Sequence, residues 1–240
     1  MIQETHEIAG RMVRTVRPDS SETVDAAIVW LPDVPDALPL DSPELLAELQ
    51  RHRLAAICPL EPTAFWLDRI VPSFHDEVTP LGWLRNSVLP FLAEAWNIRP
   101  PRVGIAGQGW GGQGALRAAY LYPDHYSVTA VVNAAVDFNE IYGAGSELDE
   151  LFSSAETARQ ETVTLRLHPL NLPRKQWHAC DAESPWYEGD ERLLSKLNSI
   201  GMGYDRFDMT LTSAPVLPAM MNFLAESLRE PISFVRLKTV

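Results

Sequence analysis

Gly104-Ile105-Ala106-Gly107-Gln108-Gly109-Trp110-Gly111-Gly112-Gln113-Gly114 is the stretch that decides the fold. Residues 102–106 (RVGIA) read as a strand, 107–112 as a glycine-rich turn and 113–122 as a helix. Glycine allows the positive φ and the close backbone approach that such a turn needs. Two chemistries use it. In dinucleotide binding, Gly107, Gly109 and Gly112 satisfy G-x-G-x-x-G and would seat a pyrophosphate on the helix N-terminus, with Asp137 beyond the next strand available to the ribose hydroxyls. In a nucleophile elbow, G-x-S-x-G, a strained strand-to-helix turn lifts a serine oxygen above the sheet. Here that pattern reads Gly107-Gln108-Gly109-Trp110-Gly111, with glycine where the serine belongs.

Outward from this turn, apolar runs alternate with helical patterns. Strands are expected over 25–31 (DAAIVWL), 54–60 (LAAICPL), 128–136, 175–180 and 206–211. Helices are expected over 42–53, with Ser42 as cap and Pro43 at the first position, and over 81–97, with Pro90 kinking the helix or splitting it. Further helices are expected over 146–162, 190–200 and 215–229. The alternation implies a single α/β domain over 1–240 with a mostly parallel central sheet and helices on both faces. Residues 61–80 form a long loop punctuated by Pro62, Pro72 and Pro80, of a kind that usually lies over a site.

The chain has 240 residues and a net charge of −12. Such a surface repels phosphate backbones and anionic lipids, and no run of Lys and Arg offsets it locally, so neither nucleic acid nor membrane is expected as a partner. Homo-oligomerisation stays open. Cys58 and Cys180 cannot build a disulfide framework and fit a reducing compartment. The first ten residues are polar and unlike a signal peptide, and no apolar run reaches the ~18–20 residues of a membrane helix. A cytoplasmic protein is expected. The six histidines are scattered without metal-ligand spacing, and no cofactor is expected.

The segment Gly107-Gln-Gly109-Trp-Gly111-Gly112-Gln-Gly114-Ala115-Leu116-Arg117, then Tyr122-Pro123-Asp124-His125-Tyr126, resembles the esterase D family of α/β hydrolases. That family includes S-formylglutathione hydrolases and related carboxylesterases, and its elbow runs G-x-S-M-G-G-x-G-A-L-R before a P-D-x-F turn. Cys180-Asp181 followed by residues 190–197 resembles the family's acid-bearing loop and the helix after it. The resemblance spans about residues 26–228 and implies an α/β-hydrolase fold.

Carried over residue by residue, the resemblance puts the nucleophile on Gly109 and the acid on Ser184, with Asp181 and Glu183 as neighbouring substitutes. The general base falls in the turn at Thr212-Ser213. No histidine follows His178. The oxyanion turn after the first core strand reads Leu31-Pro32-Asp33, where Pro32 has no N–H and Asp33 would repel a developing oxyanion. The resemblance therefore implies an esterase-like protein without an intact triad, binding a small-molecule or acyl-type ligand or serving in regulation or assembly. Its pocket would comprise Asp33, His75, Gly107, Gln108, Trp110, Gly111 and Cys180. Two alternatives remain open. One is an ester hydrolase that uses Cys180, activated by His178, or a water activated by Asp181 or Glu183. The other is dinucleotide binding at residues 107–112.

Overall fold

In the computed structural model, residues 1–19, 24–33, 39–60, 65–138, 142–145, 148–209 and 215–231 are described. Their strands form one eight-stranded sheet: β1 (Ile2–Ile8), β2 (Arg11–Arg17), β3 (Ala27–Leu31), β4 (Ala55–Pro59), β5 (Val103–Gln108), β6 (Val128–Val132), β7 (Lys175–Cys180) and β8 (Asp205–Asp208). Their spatial order is β1-β2-β4-β3-β5-β6-β7-β8. From β4 to β8 every neighbouring pair is parallel, while β1–β2 and β2–β4 are antiparallel. Every residue of β3 and β4 is buried, which is why they read as unbroken apolar runs: a parallel sheet is covered on both faces.

The helices are α1 (Pro43–His52), α2 (Pro80–Trp83), α3 (Leu89–Ala95), α4 (Gly109–Leu121), α5 (Leu148–Leu151), α6 (Ala155–Arg159), α7 (Tyr187–Ser199) and α8 (Val216–Arg229). α1 and α8 bury Leu45, Leu49, Met221 and Leu224 against one face of the sheet. α2, α3, α4 and α7 bury Leu81, Leu92, Leu116 and Leu193 against the other. Ser42 caps α1 as expected, its side chain accepting from the Leu45 N–H at 3.3 Å.

Two elements differ from the sequence expectations, and a third is broken near Pro90 as expected: within residues 81–97 a π-helical turn at Leu84–Val88 separates α2 from α3, two residues before Pro90. Proline supplies no N–H to the preceding turn, and the widened turn absorbs that loss. Residues 148–162 hold two short helices, because Ser154 starts α6 afresh in a reciprocal cap with Thr157. The β1–β2 hairpin is an addition. Its first strand exposes nearly every side chain, so it lacks the apolar alternation that marks a strand in sequence.

Candidate functional site

The turn after β5 has the geometry of an elbow. Gln108 is extended (φ −122°, ψ 154°), and Gly109, at φ +52°, reverses the chain straight into α4. A Cβ on Gly111 would run into the carbonyls of Leu31 and Pro32, so this first helical turn lies directly on the end of β3. The Gly109 carbonyl accepts from the Ala135 N–H at 2.9 Å, which ties the elbow to the segment after β6.

The space above Gly109 is filled. Asp33, two residues past β3, turns its carboxylate over the elbow, and its Oδ1 accepts from the Trp110 N–H at 2.9 Å. Cγ and both carboxylate oxygens occupy the volume that a Cβ on Gly109 would need. A carboxylate at a helix N-terminus is favourable in charge and satisfies a donor that has no partner within the helix. The N–H that follows the nucleophile position is the one an elbow offers to an oxyanion, and here it already holds an anion.

Around this carboxylate lies a cleft of about 310 Å³. Asp33, Gln108 and Gly109 form one wall, and Asn133, Asp181, Glu183, Ser184 and Trp186 the other. Asn133, at φ +47°, ends β6 and accepts the Asp181 N–H on its Oδ1 at 2.8 Å. The acid-loop residues bond within their own turn. Asp181 Oδ1 accepts from the Glu183 N–H at 3.0 Å, and Ser184 Oγ accepts from the Trp186 N–H at 3.2 Å. Asn133 and Trp186 gave no sequence signal, since neither sits in a motif.

The structure thus gathers Asp33, Gln108, Gly109, Asp181, Glu183 and Ser184 into one cleft. It does not put the other expected pocket residues on that wall. Gly107 and Gly111 lie buried beneath the elbow. The Trp110 indole turns sideways into an aromatic group with Phe65, Phe138 and Trp186, at ring-centroid separations of 5.0, 5.5 and 5.6 Å. His75 is exposed in its loop, where Nδ1 accepts from the N–H groups of Glu77 and Val78. Thr212 and Ser213 lie outside the described residues. Of the expected covering loop, residues 61–64 also lie outside them. Phe65 and Trp66 are buried on α4 and the end of β3, through Gln113 to the Phe65 carbonyl (2.7 Å) and Trp66 to the Pro32 carbonyl (3.4 Å).

Cys180 is buried, and burial, followed by the Asp190 charge, pushes its thiol up to about 12. A thiol held neutral is a poor nucleophile. Its supposed activator is engaged elsewhere: His178 is fully buried, with Nδ1 3.5 Å from Asp190 and Nε2 3.5 Å from Gln176. The dinucleotide alternative meets two obstacles. The Asp33 carboxylate stands where a pyrophosphate would sit. Asp137 is held by Arg192 at 2.6 Å rather than open to a ribose.

At the opposite edge of the sheet, where β3, β4 and β5 begin, a second cleft of about 370 Å³ is lined by Asp25, Arg51, His52, Arg53 and Arg229. Its basic members come from two separate parts of the chain, the ends of α1 and α8, so no run of Lys and Arg marks them in the sequence. Asp25 bridges Arg102 (2.8 Å) and Arg229 (3.0 Å), and Arg51 pairs with Glu48 at 3.3 Å. Burial pushes the His52 imidazole below its usual range. Among the described residues no three His, Cys, Asp or Glu side chains are grouped to hold a metal ion, and no helix is long and apolar enough to cross a membrane.

No protein-family model matches the sequence, and no curated protein matches it. Solved structures match the fold closely. The fluorophosphonate-binding serine hydrolase F of Staphylococcus aureus is 12% identical, with a TM-score of 0.68 over 93% of this chain and 97% of that one. A ferulic acid esterase is 11% identical, with a TM-score of 0.71 over 92% and 98%. The S-formylglutathione hydrolase of Agrobacterium tumefaciens is 12% identical, with a TM-score of 0.68 over 95% and 91%. The chain has the α/β-hydrolase fold of these esterases and hydrolases.

Proposed function

We propose that this α/β-hydrolase-fold protein is a non-hydrolytic relative of the esterases, retaining the cleft for binding a small molecule and not for turning over an ester. The observation that carries this reading is the Asp33 carboxylate, which occupies the nucleophile's space over Gly109 and the Trp110 N–H together. An acyl-transfer transition state needs that N–H for its developing negative charge. With Asp33 in place the charge would meet a carboxylate instead. Gly109 offers no nucleophile. None of the six histidines lines the cleft, so a serine there would keep its proton.

Asp181 and Glu183 add two further carboxylates to the same walls. The cleft therefore suits a neutral or cationic guest better than an anionic acyl group. A water-activating role for either residue would have to do without the Trp110 N–H, which the Asp33 carboxylate already holds. The net charge of −12 disfavours nucleic acid and anionic membranes, and the free thiols of Cys58 and Cys180 fit the cytoplasm.

The test is direct. Purified protein incubated with short-chain p-nitrophenyl esters should hydrolyse them at the buffer rate, and a fluorophosphonate probe should leave it unlabelled. Ester turnover that survives repurification and is abolished by Asp33→Ala, Asp181→Asn or Cys180→Ala would overturn the reading.

A further inference from the structure

We infer that the outer edge of β1 is a self-association surface, joining two copies of this chain into one continuous antiparallel sheet about a two-fold axis at Thr5. β1 is the last strand of the sheet, and among the described residues no strand lies beyond it. A long strand with an unpaired row of backbone donors and acceptors is a template for another strand.

The ladder shows which groups face outward. The Met12 carbonyl accepts from the Leu60 N–H at 3.0 Å, so the polar groups of Met12 turn toward β4 and away from β1. Met12 stands opposite Glu7, and Ile8 opposite Arg11 across the two-residue turn Ala9-Gly10, both residues of which have positive φ. Antiparallel pairs alternate between bonded and unbonded. Ile2, Glu4, His6 and Ile8 therefore bond to β2, while the backbone groups of Gln3, Thr5 and Glu7 point outward.

The sequence Ile2-Gln3-Glu4-Thr5-His6-Glu7-Ile8 then selects its own partner and register. With Thr5 opposite Thr5, a second copy places Ile2 against Ile8, Gln3 against Glu7 and Glu4 against His6, each contact occurring twice by symmetry. Glu4 and His6 meet in an unbonded pair, where cross-strand side chains come closest. Shifting the axis to Glu4 sets two carboxylates face to face and Ile2 against His6. Shifting it to His6 sets two imidazoles face to face and Glu4 against Ile8. Only the Thr5 register matches apolar to apolar, amide to carboxylate and acid to imidazole. Ile2 is 41% exposed in the single chain, and this register brings it beside Ile8, whose own side chain is already buried in the core.

Analytical ultracentrifugation of the full chain tests this. The wild type should be a dimer at high micromolar concentration. Thr5→Pro should be monomeric with an unchanged circular dichroism spectrum, because the Thr5 N–H points away from β2 and its loss breaks no bond of the hairpin. His6→Glu places carboxylates opposite each other and should weaken the dimer about tenfold, whereas Glu4→Lys combined with His6→Glu should restore it. A monomeric wild type overturns the inference. So does a dimer that Thr5→Pro leaves intact, or one weakened equally by the single and double charge variants. Should Thr5→Pro disturb folding, the charge series decides alone; because His6 is half-exposed, bonded to Thr15 at 3.1 Å and packed against Phe91, each variant's fold is first matched to the wild type by circular dichroism.

Discussion

The two ends of the parallel sheet carry opposite chemistry. At the C-terminal ends of the strands the cleft is lined by Asp33, Asp181 and Glu183 and, among the described residues, by no basic side chain, and its first wall receives the N-terminus of α4. At the N-terminal ends the second cleft is lined by Arg51, Arg53 and Arg229, where α1 and α8 end. Both arrangements follow the helix dipole, which favours anions at helix N-termini and cations at C-termini. They differ in what the charge displaces. The arginines share their surroundings with Asp25 and Glu48 and leave ordinary surface pairs. Asp33 sits over Gly109, in the volume that a side chain there would need, and accepts from the Trp110 N–H. A carboxylate at this place is favourable for the helix N-terminus, and the proposed function rests on it.

Four perturbations probe this contrast. The largest effect is expected at Cys180, beside the acidic cleft. With its thiol raised from 9.0 to about 12, it carries about a thousandfold less thiolate than a free thiol below pH 9. Iodoacetamide should therefore modify it far more slowly in the folded protein than after unfolding. The same shift has a sign in stability: the folded state holds this proton more tightly, so the contribution is complete below pH 9 and is lost as pH rises toward 12. Equal alkylation rates in the folded and unfolded protein would remove the acidic, desolvated surroundings from the account.

Gly109→Ser comes next. Its positive φ costs a side chain about 1–3 kcal/mol, and the new Cβ must displace the Asp33 carboxylate. A loss of about 3 kcal/mol or more in thermal or denaturant unfolding is expected. Adding Asp33→Gly should return the steric part and leave the backbone part, so the double variant falls short of the sum of the singles. A Gly109→Ser variant more stable than the wild type would mean that the turn is not an elbow. Neither variant should gain esterase activity, because no imidazole reaches the cleft.

Asp33→Ala alone should cost about 1 kcal/mol, the usual loss for a carboxylate that satisfies a helix N-terminal N–H. Asp25→Ala in the basic cleft should cost less, at most about 1 kcal/mol, because its pairs with Arg102 and Arg229 are half exposed. Its effect should shrink further in high salt. If Asp25→Ala proved costlier than Asp33→Ala, the distinction between a surface pair and a carboxylate seated in the elbow would collapse.

Much of this was legible in residues read one after another. The alternation of apolar runs and helical patterns predicts β3 to β8 and α1, α4, α7 and α8; the signal is strongest in β3 to β6, whose burial in a parallel sheet leaves few polar interruptions, and weakest in β8 (DRFD), none of whose residues is buried. The turn at Gly107-Gln108-Gly109-Trp110-Gly111 was recognisable because close packing and positive φ each demand glycine. The β1–β2 hairpin was hidden, as an edge strand facing water carries Gln3, Glu4, Thr5 and Glu7 and shows no hydrophobic period. His75 and Cys180 were misplaced for a related reason: nearness in sequence to a loop or strand end does not say which way a side chain turns.

By itself, then, the sequence determined that the nucleophile position of the elbow pattern holds Gly109 and that none of residues 179–240 is a histidine, because both are facts of residue identity. That Asp33 fills the vacancy was decided by the tertiary structure alone, through an approach of β3 to α4 close enough to bring together residues 76 positions apart in the chain (33 and 109). The same holds for the arginines of the second cleft, drawn from the ends of α1 and α8. Charge composition is additive along a chain. A charged site depends on distance, and only folding sets distances.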